Sequence, residues 1–457
     1  NIIRATAEEN QQLIKNNSKE THGVIILRAQ GKEIIRKTAP PPDDVNNWAA
    51  LTTEISMAAR KISTEMQSAS IETLYEAIFD GALSNLDIFS RYSGAEEALE
   101  NRNKRDGFSG IGVHFKIEGD YPMVINVLPD TPAKIAGLQK GDNLTHVNGN
   151  ELKNLNRKKV SSLLQGPTNT QVELTFVRPD IPEAKTVTMN RAHIIPVTIV
   201  QDISNGIVAI MLKSFNKNTA SSLSDKLEIA SENLGKNMKG LILDLRGNPG
   251  GLLKQSVKVA DLFLTQGDII STRGRHADSL HKYEAGGRDL ALGLPVAVLI
   301  DGKSASAAEI LAAALQDRNR AVIIGTTSFG KGSVQTILLL PNGGEITLTW
   351  SRLVAPSGYM FHGLGIRPEL CTSGLEGDPK RIIEKFIVKR KQFEIMHTDW
   401  GKGSPKDKNK RAQLRKTCPP QHRRNDLELK IAQHLIDHPA LYARVLNLSD
   451  TINEAHY

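Results

Sequence analysis

The sequence is short of several things at once. Aromatic residues make up 5% of its 457 positions, and there are two cysteines, Cys371 and Cys418. Neither lies in a Cys-x-x-Cys pair, and no Cys/His cluster has zinc-ligand spacing. A zinc ribbon, a zinc finger and a thioredoxin-like redox motif are therefore excluded. No apolar run approaches the ~18 residues that a membrane-spanning helix needs. The chain opens on Asn1, without an initiator Met, a basic n-region or an apolar h-region. That reads as a mature or trimmed chain, or as one that never carried a signal peptide. With 39% hydrophobic and 24% charged residues, collagen-like, mucin-like and wholly disordered classes are also excluded. The length is a prior for two to four domains.

A general excess of one charge is missing too, once the charge is located. The formal net charge is +8, from 58 Lys+Arg against 50 Asp+Glu. Residues 402–424 (KGSPKDKNKRAQLRKTCPPQHRR) hold nine of those bases and one of the acids, so the rest of the chain balances at 49 against 49. A local surplus of this kind reads as a solvated connector or docking surface. It argues against a nucleic-acid partner at the centre of function, and we expect none. The two cysteines allow one disulfide in an oxidising compartment or two reduced thiols, and their count leaves both open.

What is present is modular. Residues 1–106 read mainly as helical, apart from a two-strand hairpin over 21–38 that turns at Gly31. After Pro40, Pro41 and Pro42, Val45–Ser68 and Ile71–Ile88 carry apolar residues at helical spacing. Residues 107–193 change to short β runs between Gly, Pro, Asp and Asn, with short helices near Pro132–Gly137 and Arg157–Gln165. Residues 194–371 alternate continuous apolar strands with helices around Thr219–Leu234, Leu253–Leu264 and Ser306–Gln316, which predicts a buried, largely parallel sheet. A hairpin turning at Asn342-Gly343-Gly344 follows, and residues 372–457 read as two helices flanking the basic segment.

Residues 109–149 run SGIGVHFKIEGDYPMVINVLPDTPAKIAGLQKGDNLTHVNG. The order of elements resembles a PDZ domain. The resemblance implies a loop at Ser109, Gly110, Ile111 and Gly112 whose backbone N–H groups receive a peptide's terminal carboxylate. The peptide would then add as a strand to the sheet edge. Glycines suit such a loop, because donors can converge on an anion without Cβ interference.

Three segments of the α/β part carry chemistry. In LILDLRGNPGG (241–251) a strand ends in a glycine-rich loop able to present free N–H groups to an anion or oxyanion. In DGKSASAAEILAAALQD (301–317), Ser306 opens an Ala/Leu-rich helix with Glu309 three residues on. Ser-x-x-Glu is a capping box with about 1 kcal/mol of helix-start stability. A serine at a helix N-terminus among alanines is also open to act as a nucleophile. In AVIIGTTSFGKGSVQ (321–335), the stretch 325–333 falls one residue short of a phosphate-binding P-loop. Gly332 stands where a Ser/Thr should bind magnesium, and a β-like run rather than a helix follows. The other reading makes Lys331 a general base whose pKa burial lowers from about 10.4 towards 7–8.

Taken together, SASAAEILAAALQD, RAVIIG and SFGKGSVQ, with Ser306 and Lys331 25 positions apart, resemble the C-terminal processing (tail-specific) serine peptidases. LDLRGNPGG agrees, and so does NLDIFSRYSGAEEA (85–98), with Ile88-Phe89 in place of the family's Pro and polar residue. The resemblance covers roughly residues 70–370. It implies an α/β, crotonase/ClpP-like peptidase core (194–371) with an inserted β-rich PDZ domain (107–193), between a helical N-terminal region (1–106) and a C-terminal extension (372–457). Residue by residue it implies Ser306 as nucleophile, Lys331 as general base and Gln335 to orient the lysine. Asp317 would match an aspartate some members need. The oxyanion hole would be the N–H groups of Gly251 (or Gly250) and Ala307. Ala308 departs from the pattern, since many members carry a second Ser there.

The implied function is a serine endopeptidase that needs no metal or nucleotide cofactor and acts on protein substrates with apolar C-terminal tails. The PDZ domain would gate it, with Arg178 and Arg191 as candidate latches. An adaptor protein and a homo-oligomer are candidate partners, the latter through residues 45–88 and Leu427–Asp437. Relatives of this kind are typically exported in bacteria, so the two cysteines fit the bacterial periplasm. The competing class is a PDZ adaptor on a catalytically inactive body, against which stand Ser306, Lys331 and Gln335.

Overall fold

A computed structural model describes residues 4–8, 23–29, 31–179, 181–388, 399–400, 407–422 and 426–446. The chain forms two compact units, Asn1–Leu86 and Asp87–Tyr457.

In the first unit the expected hairpin is formed by Val24–Ala29 and Lys32–Thr38, and Arg4–Glu8 adds a third antiparallel strand that the sequence did not signal. The helical stretch that follows is broken into Val45–Ile62 and Thr64–Ser68, then Ile71–Leu83. The breaks have a local cause. Asp44, Ser63 and Ser70 each accept a hydrogen bond from the backbone N–H three residues on, so each starts a new helix.

The second unit starts earlier than expected, at Asp87. The strand Arg91–Ser93 pairs with Glu345–Val354, and the helix Ala95–Asp106 is anchored to the same hairpin. Arg102 and Arg105 both bind the buried carboxylate of Glu345, at 3.0 and 2.9 Å. This attachment makes residues 87–106 part of the second unit.

The β-rich module has strand order Ile181–Asn190, Gln171–Arg178, Asn143–Val147, Tyr121–Val127, Val113–Glu118. Ile111, Val124, Leu144, Val160, Val172 and Leu174 fill its core. Arg178 and Arg191, expected as latches, are engaged inside the module. Arg178 binds Asp142 at 2.8 and 3.0 Å, while Arg191 donates to the carbonyls of Leu163 and Leu164 at the end of helix Arg157–Leu164.

The mostly parallel sheet runs Ile199–Ser204, Ile207–Leu212, Gly240–Asp244, Val296–Ile300, Val322–Gly325, Leu370–Cys371. Its first pair is antiparallel and the rest are parallel. The apolar runs are continuous because both faces are covered. Leu241, Leu243, Val296, Val298 and Ile323 face one core with the helices Thr219–Leu234, Leu253–Asp261 and Ala307–Asp317. Ile242, Ala297, Leu299, Val322 and Ile324 face a second core closed by Pro379–Val388, Leu427–Asp437 and Pro439–Leu446. The helix Leu427–Asp437, expected as a contact between copies, therefore turns its apolar face onto its own sheet.

Candidate active site

The turn at Ser306 is built by two strand ends. Gly240–Asp244 runs out into residues 245–251, and Val296–Ile300 runs out into residues 301–306. Asn248 is fully buried and joins them. Its carbonyl accepts from Ala305 N–H at 2.9 Å, and its side chain accepts from Gly250 N–H at 2.8 Å. Ser306 sits at φ 54°, ψ −112°, outside the comfortable region for an L-residue, at the start of the helix Ala307–Asp317. A strained residue held by surrounding structure is a mark of functional sites.

The glycine loop lies directly against this turn. Gly250 has φ 103°, and a Cβ there would stand 2.9 Å from Ser306 Cβ and 3.0 Å from Ala307 N. Gly251 has φ 144° and is held by Phe215, whose carbonyl accepts from Leu252 N–H while its own N–H donates to Gly250. Gly250 N–H is taken by Asn248. Among the described residues, Gly251 N–H and Ala307 N–H have no acceptor, which distinguishes Gly251 from Gly250 as an anion donor.

Lys331 enters from the loop after strand Val322–Gly325. Its ammonium lies over the Phe89 ring, 5.2 Å from the centroid. Burial, and after it the Arg91 guanidinium, lowers its pKa below the ordinary lysine value. Gln335 does not reach it in this arrangement. The Gln335 amide donates to Ser333 Oγ at 2.8 Å and lies near Thr349. Asp317 lies at the other end of the Ser306 helix, about 16 Å away at 1.5 Å rise per residue, where it accepts from Ser357 N–H and Oγ.

Glu309 does more than cap. Its buried carboxylate accepts from Ser306 N–H at 2.8 Å, Lys331 N–H at 2.8 Å, Gly330 N–H at 2.7 Å and the Ser328 hydroxyl. One side chain thus fixes the backbone of both the serine and the lysine. The Ser-x-x-Glu spacing signalled the first contact, and nothing in the sequence signalled the other three. His362 was missed altogether. It meets the Phe89 ring edge-on at 5.9 Å, and burial pushes its imidazole down to about 4, so it is neutral at ordinary pH.

In the β-rich module, Ser109 and Gly110 belong to the strand Phe108–Gly110, which pairs with Ala192–Ile194. Ile111 is buried, and a Cβ on Gly112 (φ 90°) would meet Thr131 at 2.4 Å. The strand Val113–Glu118 that follows is an edge of its sheet. Cys371 and Cys418 form a disulfide. Among the described residues no His/Cys/Asp/Glu group is arranged to hold a metal, and no helix is long and apolar enough to cross a membrane.

Residues 206–371 match the model of peptidase family S41, and residues 123–178 match a PDZ domain model. The chain is 38% identical over 301 residues to the carboxy-terminal-processing protease of Bartonella bacilliformis, covering 65% of this chain and 69% of that one. It is 30% identical over 302 residues to the carboxy-terminal processing protease CtpA of Bacillus subtilis, covering 65% of this chain and 64% of that one. It thus spans just under two thirds of the latter's length. Among solved structures, the photosystem II D1 C-terminal processing protease is similar at 25% identity and a TM-score of 0.38, covering 71% of this chain and 86% of that one. On the strength of its 38% identical relative and the two matched modules, the chain belongs to the carboxy-terminal-processing proteases, serine peptidases of family S41 that carry a PDZ domain.

Proposed function

We propose that this chain is an endopeptidase that takes protein substrates by their apolar C-terminal tails and cuts them with a Ser306/Lys331 dyad. The observation that carries the reading is the strained Ser306 beside two unengaged N–H groups and a desolvated lysine loop, all tied together by Glu309. Ser306 Oγ attacks the scissile carbonyl and Lys331 Nζ takes its proton. Gly251 and Ala307 N–H hold the oxyanion. Lys331 then protonates the leaving amine, and water enters by the same route to release the acyl-enzyme.

The position of Lys331 over Phe89, with Gln335 turned to Ser333, supports a resting arrangement. For catalysis Lys331 swings from Phe89 to Ser306, and Gln335 turns to orient it. The PDZ domain would favour that state when the carboxylate of a tail enters the loop Ser109–Gly112 and the tail pairs with Val113–Glu118. Asp317 serves at a distance, holding the loop at Ser357. The disulfide supports an oxidising compartment, and the periplasm is our assignment. Self-association would use the helices within residues 45–88, where Val45, Met57 and Ile71 are exposed. An adaptor protein is a further candidate partner.

The test is cleavage of an unfolded protein carrying an apolar tail, the same protein with an amidated tail, and both against Ser306→Ala. We expect the amidated substrate to be cut more slowly. Ser306→Ala should lose at least about 10⁴-fold in kcat while keeping its melting temperature. Cleavage that survives Ser306→Ala returns Ser306 to the role of a cap and favours the inactive adaptor.

A further inference from the structure

The part of the C-terminal extension between Lys408 and His422 does not float beside the catalytic unit. It lies against the loops that carry Ser306 and Lys331. Gly302, four residues before Ser306, donates its N–H to Gln421 O at 2.8 Å. A Cβ on Gly302 would stand 3.1 Å from Pro420 and 3.2 Å from Gln421 N, so this is close backbone packing. Thr326 exchanges two hydrogen bonds of 3.0 Å with Gln421 through its hydroxyl. Thr327 Oγ donates to Cys418 O at 2.6 Å. His422 pairs with Asp301, whose buried carboxylate also accepts from Gly247, Lys303 and Ser304 N–H. Arg415 donates to Leu364 O, on the segment that pairs with the lysine loop.

The disulfide is placed to hold this arrangement. Cys371 is paired in register with Gly325, and Thr372 N–H donates to Gly325 O at 2.8 Å. Gly325 is the residue from which Thr326, Thr327 and the lysine loop depart. The bond to Cys418 therefore fastens the segment 418–422 at the root of that loop.

We propose that residues 418–422, fastened by the Cys371–Cys418 bond, are a brace that positions the nucleophile turn and the lysine loop, so that peptidase activity depends on the oxidation state of this pair. The proposal rests on the reading of Ser306 and Lys331 as nucleophile and base. A dithiol reverses the brace. It supplies two electrons and two protons, the S–S bond becomes two thiols, and the dithiol leaves as its own disulfide. Without the bond, segment 418–422 separates from Thr326, Thr327 and Gly302, and both loops lose the groups that fix their backbone. Loss of alignment by about 1 Å is enough to lower kcat about 100-fold.

The experiment compares oxidised protein, the same protein in dithiothreitol, Cys371→Ala/Cys418→Ala, and Thr327→Val with its disulfide intact. Three quantities are read: kcat and KM on an unfolded protein, the rate at which a fluorophosphonate captures Ser306, and the melting temperature. We expect reduction and the double alanine variant to lower kcat and capture rate about 10- to 100-fold at temperatures where the protein is folded, with KM within about twofold. Dithiothreitol should not change the double variant further. Thr327→Val should lower both rates in the same direction, which covers a double variant that fails to fold. Equal rates in oxidised and reduced protein overturn the brace. So does a loss confined to KM, or one that vanishes once rates are scaled to the folded fraction. If the oxidised protein neither cuts nor captures the probe, the peptidase reading falls and the brace with it, whereas an active but dithiol-insensitive enzyme sinks the brace alone.

Discussion

At the scale of the residue, the proposed dyad requires Lys331 to be neutral if it is to take a proton from Ser306. Burial first, and Arg91 after it, favour the neutral form and hold its pKa below the ordinary value of 10.5. In the unfolded chain the lysine titrates near that ordinary value. Between the folded and unfolded values, the unfolded state binds a proton that the folded state does not, so this site makes stability rise with pH across that window. Catalysis follows the same sign: kcat/KM climbs with pH on a limb centred below 10.5. His362, pushed down to about 4, has already lost its proton there and does not own the limb. A pH–rate profile checks this. Arg91→Gln should move the limb to higher pH, and His362→Gln should leave it in place. A limb that ignores Arg91 and follows His362 would assign the base to the histidine. The sequence made Ser306 and Lys331 legible through their neighbours, glycine and small residues at fixed spacing. It hid Phe89, His362 and Asn248, because their roles depend on contacts between segments far apart in the chain.

At the scale of the element, the helix Leu427–Asp437 behaves as core. Ile431, Ala432 and Leu435 are fully buried, and its Glu428 meets Arg246 in the loop between strand Gly240–Asp244 and the glycine turn. Leu435→Ala should cost about 2–5 kcal/mol of stability in a urea titration, with no change in mass by sedimentation. An unchanged midpoint with a changed mass would restore the role of a contact between copies. The helical period of this segment was plain in the sequence, but a period tells only that an apolar stripe exists. The partner was discernible in another place. The strands LILDL and VAVLI are apolar on both faces, and helices preceding residue 372 supply cover for only one of them.

At the scale of the molecule, the two units differ in how much they bury. Among the described residues of Asn1–Leu86 the buried apolar ones are Ile26, Leu27, Leu51 and Ala59, whereas Asp87–Tyr457 closes two cores around one sheet and a third in the PDZ domain. Opening free energy follows buried apolar contact, so amide exchange should rank accordingly. Peptides from Val45–Ile62 and Ile71–Leu83 should exchange orders of magnitude faster than those from Gly240–Asp244 and Val296–Ile300, as read by mass spectrometry. Comparable protection in both sets would mean that the first unit is stabilised by something other than its own core. The order of parts along the chain has one more consequence. A ribosome delivers Ser306 and Lys331 well before it delivers Cys418 and the helix Leu427–Asp437. If residues 418–422 brace the site as proposed, a chain still lacking Cys418 would hold Ser306 and Lys331 without the segment that fixes their loops. On the proposed reading, alignment of the site would wait for Cys418 and its bond to Cys371, so activity would follow the oxidation of the pair rather than the folding of the sheet.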